Sequence, residues 1–242
     1  MAKFSKNGNL SGTLGALVFV SNGARQYVRT KPAKMKQSAN TIKAGQVFGA
    51  VSRKDKDFRR VVTACFDPFR DQRYAARHRA AFGRTCLPCQ GNDTGAVIFD
   101  RPEALQNFAF VRDLPWEKIT RIYPEPVIDT PRTLRLELPA HRIGDNLMLP
   151  PAVSKAHVSY HLFAVDPNLD PVLIRELTGV ELTVTRQSSS SPHPLTCDIP
   201  DEPCWLILLG SIEFFSENPS LQTKRTGTSA YLWTKAFNQG QD

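Results

Sequence analysis

The chain has 242 residues, 41% of them hydrophobic, which is enough to bury a core in one large or two small domains and excludes disorder throughout. Residues 1–84 carry 18 Lys and Arg against 4 Asp and Glu, whereas residues 85–242 carry 13 against 19, so a net +14 is followed by a net −6. The first eight residues lack the apolar run of a signal peptide, and the longest apolar run, 204–209, is too short to cross a bilayer. We therefore expect no membrane association and a cytoplasmic protein, or a virion protein if the source is a phage.

Residues 1–40 are predicted to form an extended basic arm that contains a β-hairpin. Asn22-Gly23 between two β-rich segments is a hairpin signal because both residues tolerate positive φ in a type I′ turn, and the hairpin is expected over about 14–29. The basic residues 31–38 follow as an extended linker. An isolated two-stranded hairpin is marginal in water, so the arm is expected to pack on its own body or on a neighbouring subunit.

Residues 41–84 are predicted to form a basic two-helix segment. At 100° per residue, the apolar side chains of the first helix share one face, and Arg53, Lys56 and Arg60 lie on the opposite face. Asp67-Pro68 ends that helix, with Asp67 as the N-cap of a second helix that runs to about residue 83. The apolar face of the first helix holds Val47, Val51, Phe58, Val62 and Cys65, and Arg70, Arg73, Arg77 and Arg84 share a face of the second.

Residues 95–242 are predicted to form an antiparallel β-sandwich domain. Short β-rich segments alternate there with Pro, Asp, Asn and Ser clusters, and Gln187–Pro194 is predicted to be a flexible loop. One short helix is expected after Asp100, ending near Phe110. The predicted strands are 96–99, 133–138, 147–149, 157–165, 180–185, 205–215 and 229–237. The fold class is therefore α+β: an extended basic N-terminal arm with a β-hairpin, a two-helix segment and a C-terminal antiparallel β-sandwich.

The cysteines and histidines do not form a recognisable chemical motif. Cys86 and Cys89 have the spacing of half a zinc site or of a thiol redox pair, but no second Cys or His pair follows at metal-ligand distance, and His78 is the nearest further ligand. We expect ordinary thiols in a surface loop, with no metal and no cofactor. The remaining histidines show no triad spacing, so no catalytic residue and no enzymatic activity are expected. A small metal or thiol-redox protein is the third alternative.

The N-terminal residues resemble those of a bacterial protein family. The resemblance is carried by Gly8, Gly12, Gly15 and Val18, then Arg29 and Pro32, then Thr41, Gln46 and Phe48, ahead of a helical stretch and a β-rich second half. In this layout the chain resembles an uncharacterised family of Bacteroidota proteins of about the same length. The family has no established activity. The resemblance thus implies an architecture and a bacterial or phage source, but no mechanism.

Two functional classes remain open. In the first, the protein is a structural subunit of a large bacterial or phage assembly of the virion, tail or filament type, and its basic arm docks on the acidic region of a neighbouring subunit. In the second, the basic helices and arm bind nucleic-acid phosphates. Several aromatic residues of the basic region lie on apolar stripes that a core would occupy and are not available to stack on bases, which favours assembly.

The expected partners are other copies of the chain or other subunits of the assembly, with nucleic acid as the alternative and without a small-molecule substrate. The structural alternative for the basic residues is a solvated helix surface. The candidate partner-binding or nucleic-acid-binding residues are Arg25, Arg29, Lys31, Lys34, Lys36, Arg53, Lys56, Arg60, Arg70, Arg73, Arg77 and Arg84.

Overall fold

The computed structural model describes residues 2–4, 10–22, 25–31, 37–88, 97–129, 132–150, 153–216 and 226–237. The described residues form an α+β fold whose sheets are antiparallel, as predicted. Among them, no helix is both long and apolar enough to cross a bilayer. The chain divides into two compact units, Met1–Ile42 and Lys43–Asp242.

The described secondary structure comprises strands, helices and a 3-10 helix at Pro102–Leu105. The helices are α1 (Ala39–Phe66), α2 (Tyr74–Phe82) and α3 (Trp116–Ile119). The strands are β1 (Lys3–Phe4), β2 (Leu10–Leu14), β3 (Leu17–Asn22), β4 (Arg25–Thr30), β5 (Cys86–Pro88), β6 (Val97–Phe99), β7 (Phe108–Ala109), β8 (Val127–Asp129), β9 (Thr133–Leu138), β10 (Val153–Asp166), β11 (Leu173–Thr185), β12 (His193–Asp198), β13 (Cys204–Ser216) and β14 (Thr226–Phe237).

The first unit contains a four-stranded antiparallel sheet in the order β1-β2-β3-β4, called here the N-terminal sheet. Its strands β3 and β4 form the predicted hairpin, with Asn22 opposite Arg25. The connecting residues 23–24 and the linker residues 32–36 lie outside the described residues. Two further strands, β1 and β2, precede the hairpin where an extended arm was expected. Gly15, with φ of 57°, supplies the left-handed backbone of the tight turn between β2 and β3.

Helix α1 follows the predicted pattern, whereas α2 begins later than predicted. In α1, Val51, Phe58 and Val62 are buried as expected, but Cys65, one residue before the helix ends, is exposed. Asp67 has φ of 37°, a left-handed conformation that cannot be an N-cap, and the chain stays irregular until Tyr74. The prediction of a helix from Asp67 onward is therefore wrong. As a result Arg70, Arg73 and Arg84 lie outside α2 instead of along one of its faces.

The second unit is organised around a five-stranded sheet in the order β11-β10-β13-β14-β7. One face packs on the three-stranded sheet β12-β9-β8 in a core that includes Leu134 and Leu208, and the other packs on α1 and α2 in a core that includes Phe58 and Phe82. The central strand β13 is buried from Cys204 to Ile212, which explains its unbroken apolar run. The predicted sandwich thus describes one face of this sheet, and the helices cover the other.

Several smaller elements differ from their predictions. In the predicted strand 147–149, Leu147 makes only isolated bridges to Thr120 and Ile143. The helix expected near 100–110 is a 3-10 helix followed by β7. Strands β7, β8 and β12 were not predicted; β7 and β8 have only two or three residues, too few to establish an alternating pattern. The predicted loop at 187–194 ends at residue 192, where β12 begins.

Candidate interaction surfaces

One face of the N-terminal sheet is apolar and exposed. Side chains alternate between the faces of a strand, and the pairing of Phe19 with both Gly12 and Val28 identifies the residues that share this face. Phe4 is 77% exposed, Leu14 63% and Val28 52%. Contiguous exposed apolar surface of this kind makes the face a candidate interaction surface. The apolar face comprises Phe4, Leu10, Leu14, Leu17, Phe19 and Val28.

The opposite face of the N-terminal sheet is basic. It presents Lys3, Arg25 and Arg29 beside Tyr27, and all four residues are exposed. Residues 1–42 contain seven Lys and Arg and neither Asp nor Glu, so no acidic residue of this unit offsets them. Of the predicted binding residues, Arg25 and Arg29 lie on this basic face and Lys31 is exposed just after β4, whereas Lys34 and Lys36 lie outside the described residues.

A second basic surface is a groove between α1 and the segment that follows it, here called the basic groove. Its volume is about 510 Å³. The groove brings the predicted Lys56, Arg60 and Arg70 together and adds Arg59, which the sequence pattern did not single out. Arg60 is 69% exposed and lies 3.8 Å from Asp57, a weak surface pair that leaves its guanidinium open to an anion. The predicted Arg53, Arg73 and Arg84 are exposed, but they do not line the groove.

Arg77 has a structural role, contrary to its expected place on an open basic face. Its guanidinium donates hydrogen bonds to the carbonyl oxygens of Ala109 (2.7 Å) and Phe110 (2.8 Å) and to Asp71 Oδ2 (2.7 Å). Burial alone would raise the pKa of Asp71, but a hydrogen bond from the Arg112 N–H and the charge of Arg77 hold it below its ordinary value. Arg77 therefore ties α2 to the segment around β7 through its two terminal amino groups, whereas its Nε is buried without a hydrogen-bond partner among the described residues.

A buried polar network lies between the helices and the central sheet. The Asp55 carboxylate accepts a hydrogen bond from His78 Nδ1 at 2.6 Å, and His78 Nε2 lies 3.2 Å from the Tyr231 hydroxyl. A carboxylate only accepts, so the proton is assigned to Nδ1, and Nε2 accepts from Tyr231. Burial lowers the pKa of His78 below its ordinary 6.5, although Asp55 opposes that shift, so the imidazole is neutral at pH 7.

The network reaches the surface at one residue. Arg59 Nε and Nη2 each lie 2.9 Å from Asp55 Oδ2, and the Arg59 side chain is 20% exposed and lines the basic groove. Asp55 and His78 are themselves 0% exposed, so no substrate can reach them. The network therefore orients Arg59 and satisfies buried polar groups. The sequence does indicate a buried charge here, because Asp55 lies on the apolar stripe of α1 between Val51 and Phe58.

A third surface, here called the acidic pocket, lies on the central sheet beside the end of α1. Its volume is about 310 Å³, and its lining includes Phe66 and Phe69 but no Lys or Arg from the described part of the chain. His161 Nδ1 lies 2.7 Å from Glu176 Oε1 next to the pocket. Ordinary sequence motifs do not identify this pocket, because its residues come from four separate segments. Its ionisable lining residues are Asp67, His157, His161, Glu181 and Glu213.

Cys86 and Cys204 are packed within the fold, whereas Cys65 is exposed. Cys86 lies in β5, its thiol donates to the Gly83 carbonyl at 3.2 Å, and burial raises its pKa; its predicted companion Cys89 lies outside the described residues. Burial, with the charges of Asp166 and Glu202, raises the pKa of Cys204 to about 11. Within the described ranges, no group of three or more His, Cys, Asp or Glu residues is placed to hold a metal ion.

Comparison of the chain with protein-family models, curated proteins and solved structures finds no match. The function must therefore be inferred from the surfaces themselves. The surfaces described above are an exposed apolar face, a basic face, a basic groove and an acidic pocket.

Proposed function

We propose that this chain is a non-enzymatic structural subunit of a large bacterial or phage assembly, of the virion, tail or filament type, and that its N-terminal sheet docks on a neighbouring subunit. The observation that carries the proposal is the apolar face: large side chains of a small sheet are exposed on one side. Such a subunit would act in the cytoplasm or, if phage-encoded, in the virion. The resemblance to a Bacteroidota family is compatible with either source.

Covering the apolar face would stabilise the sheet by an amount similar to the cost of association. None of the described residues of Met1–Ile42 is buried, so this unit contributes little apolar burial of its own. Covering one large apolar side chain stabilises by about 1.5–3 kcal/mol, so the six on the apolar face give on the order of 10 kcal/mol. Association costs about 4–15 kcal/mol in lost freedom, which is a comparable amount. Docking through this face should therefore be reversible and dependent on protein concentration.

The first test replaces apolar side chains on one face of the sheet only. The variant Leu17→Thr with Val28→Thr keeps strand propensity but adds hydroxyls to the apolar face. The matched control, Val18→Thr with Val20→Thr, makes the same kind of change on the basic face of the same hairpin. Sedimentation velocity over a range of concentrations should show the first variant dissociating and the control assembling as the wild type does. Equal behaviour of the two variants would remove the support for the apolar face.

A second candidate function, polyanion binding, is favoured by the basic groove. Lys56, Arg59, Arg60 and Arg70 converge there, and Arg59 is held in place by Asp55. A guanidinium whose position is fixed in advance loses less freedom when it binds a phosphate. Nucleic acid would then be the partner, bound through its backbone rather than through its bases.

Salt dependence tests this second function. We expect the variant Lys56→Gln with Arg60→Gln and Arg70→Gln to weaken binding of a fluorescein-labelled DNA duplex. Each lost phosphate contact should reduce the slope of log affinity against log salt by roughly 0.9. The control variant, Arg53→Gln with Arg84→Gln and Arg121→Gln, removes the same charge from exposed arginines outside the groove lining. If both variants change binding equally, the groove has no specific role; if neither does, the substituted basic residues form a solvated surface.

A further inference from the structure

The central sheet ends in a long strand with an open edge. Strand β11 has 13 residues and pairs only with β10 among the described strands. A register shift interrupts this pairing near Leu177, but pairing is continuous over residues 179–184. An edge strand with unpaired backbone groups is a template for the strand of another chain. Residues 179–184 therefore offer six regular positions for strand addition.

The acidic pocket lies along this same edge. Glu181 lines the pocket, is exposed and makes no ion pair with a described residue. Thr183 lines the same side of β11, whereas Val180 packs toward the core shared with the three-stranded sheet; Leu182 packs against that core and also borders the pocket. The edge therefore has a polar, negatively charged side and an apolar side, with the alternation expected of a strand.

Strand β4 has the complementary pattern. It is the other edge of the N-terminal sheet, it also has six residues, and it pairs only with β3 among the described strands. Arg25, Tyr27 and Arg29 project from one side, and Val28 projects from the other with the apolar face. If β4 extended the central sheet beside β11, its arginines could lie with Glu181 and its valine with Val180 and Leu182.

We propose that residues 179–184 of β11, with the acidic pocket beside them, form the acceptor for β4 of a second copy of this chain, and that Arg25 and Arg29 pair with the acidic side of that edge. This inference rests on the proposed assembly function and names the surface on which the N-terminal sheet docks. The contact is heterologous, because the donor strand and the acceptor edge are different surfaces of one chain. Repetition of the contact would build a ring or a filament.

Charge exchange in the full chain tests the proposal. Glu181→Arg should raise the dissociation constant of the assembly about tenfold or more, and Arg25→Glu with Arg29→Glu should do the same. Combining the three substitutions restores opposite charges and should recover most of the association, measured by sedimentation velocity. The control Glu125→Arg changes an exposed residue away from the pocket. It should neither weaken the association of the wild type nor rescue the Arg25→Glu with Arg29→Glu variant.

The outcomes separate this proposal from the function on which it rests. If Glu181→Arg leaves association unchanged while Leu17→Thr with Val28→Thr abolishes it, the assembly proposal stands and the acceptor is wrong. If neither variant changes the association, or the wild type is a monomer at every concentration, both proposals fail. The protein could also be a monomer whose melting temperature falls in the Glu181→Arg variant and recovers when Arg25→Glu and Arg29→Glu are added. That result would mean that β4 pairs with β11 of its own chain, and it would overturn the role of a second copy.

Discussion

The two units of this chain differ in how much apolar surface they bury. None of the described residues of Met1–Ile42 is buried, although its sheet carries an apolar face. Lys43–Asp242 contains two apolar cores, one on each side of a central sheet, and Trp116, Tyr160 and Tyr231 are almost completely inaccessible there. The apolar face of a sheet contributes hydrophobic burial only when another element or molecule covers it. The second unit therefore supplies its own cover, and we infer that the first takes its cover from another molecule.

Truncation of a phenylalanine in each unit should give the largest difference between them. Phe58 is 0% exposed and packs against Phe82 and Tyr231, so Phe58→Ala should cost about 3–5 kcal/mol of unfolding free energy. Phe4 is 77% exposed, and Phe4→Ala should cost less than about 0.5 kcal/mol at concentrations where the chain is a monomer. Urea unfolding measures both. Comparable losses would mean that the first unit has a core of its own.

Removal of the buried carboxylate should have the next largest effect. Asp55→Asn withdraws the charge that pairs with Arg59 and accepts from His78, and the loss of unfolding free energy should be about 2–4 kcal/mol because His78 is buried and Arg59 is only 20% exposed. Asp57→Asn on the same helix is the control: its partner Arg60 is 3.8 Å away and largely exposed, so the loss should stay below about 0.5 kcal/mol. Two equal losses in chemical denaturation would contradict the structural role of the network.

Acidification should lower the unfolding free energy of the second unit, but by less than the two substitutions above. Burial lowers the pKa values of His78 and His141 below their ordinary 6.5, so the unfolded chain takes up these protons first. The contribution of these histidines to the free energy of unfolding is fully present above about pH 6.5. It falls as the pH drops below that value, by at most about 1.4 kcal/mol per pH unit for each histidine. Residues 1–42 contain no histidine and lack this contribution.

Unfolding measured at several pH values between about 7.5 and 5.5 tests this dependence. His141→Gln should flatten the slope, because it removes one of the two buried imidazoles. His193→Gln, at an exposed position, is the matched control and should leave the slope as it is in the wild type. A stability that stays constant over this range would show that both buried imidazoles ionise as readily in the folded chain as in the unfolded one.

Local sequence patterns predicted the elements whose conformation depends on residues close together in the sequence. Asn22-Gly23 located the β3–β4 hairpin, and the spacing of Val51, Phe58 and Val62 located the buried face of α1. The start of α2 was missed because Asp67 takes a left-handed backbone conformation, which its residue type does not reveal. The predicted sandwich did not include the packing of α1 and α2 on the central sheet. The residue pattern of a strand does not show whether a helix or another sheet will cover it.

The interaction surfaces were predictable only where charge density identifies them. The basic residues of α1 stand out in the sequence, and Lys56, Arg60 and Arg70 do meet in one groove. Arg77 belongs to the same charge run, but its partners are backbone carbonyls more than thirty residues away, and carbonyls leave no signature in a sequence. The acidic pocket was missed for a similar reason, since its residues come together only through the pairing of β10, β11 and β13.

The central claim is that the N-terminal sheet needs another molecule, and removal of that sheet tests it directly. A chain lacking residues 1–37 retains Ser38, whose hydroxyl accepts the Thr41 N–H at the start of α1. Sedimentation velocity of this chain and of the full chain, at matched concentrations, compares their association, with circular dichroism to confirm folding. We predict that the full chain assembles and that the shortened chain is a folded monomer. If the shortened chain forms the same oligomer as the full chain, the claim is contradicted.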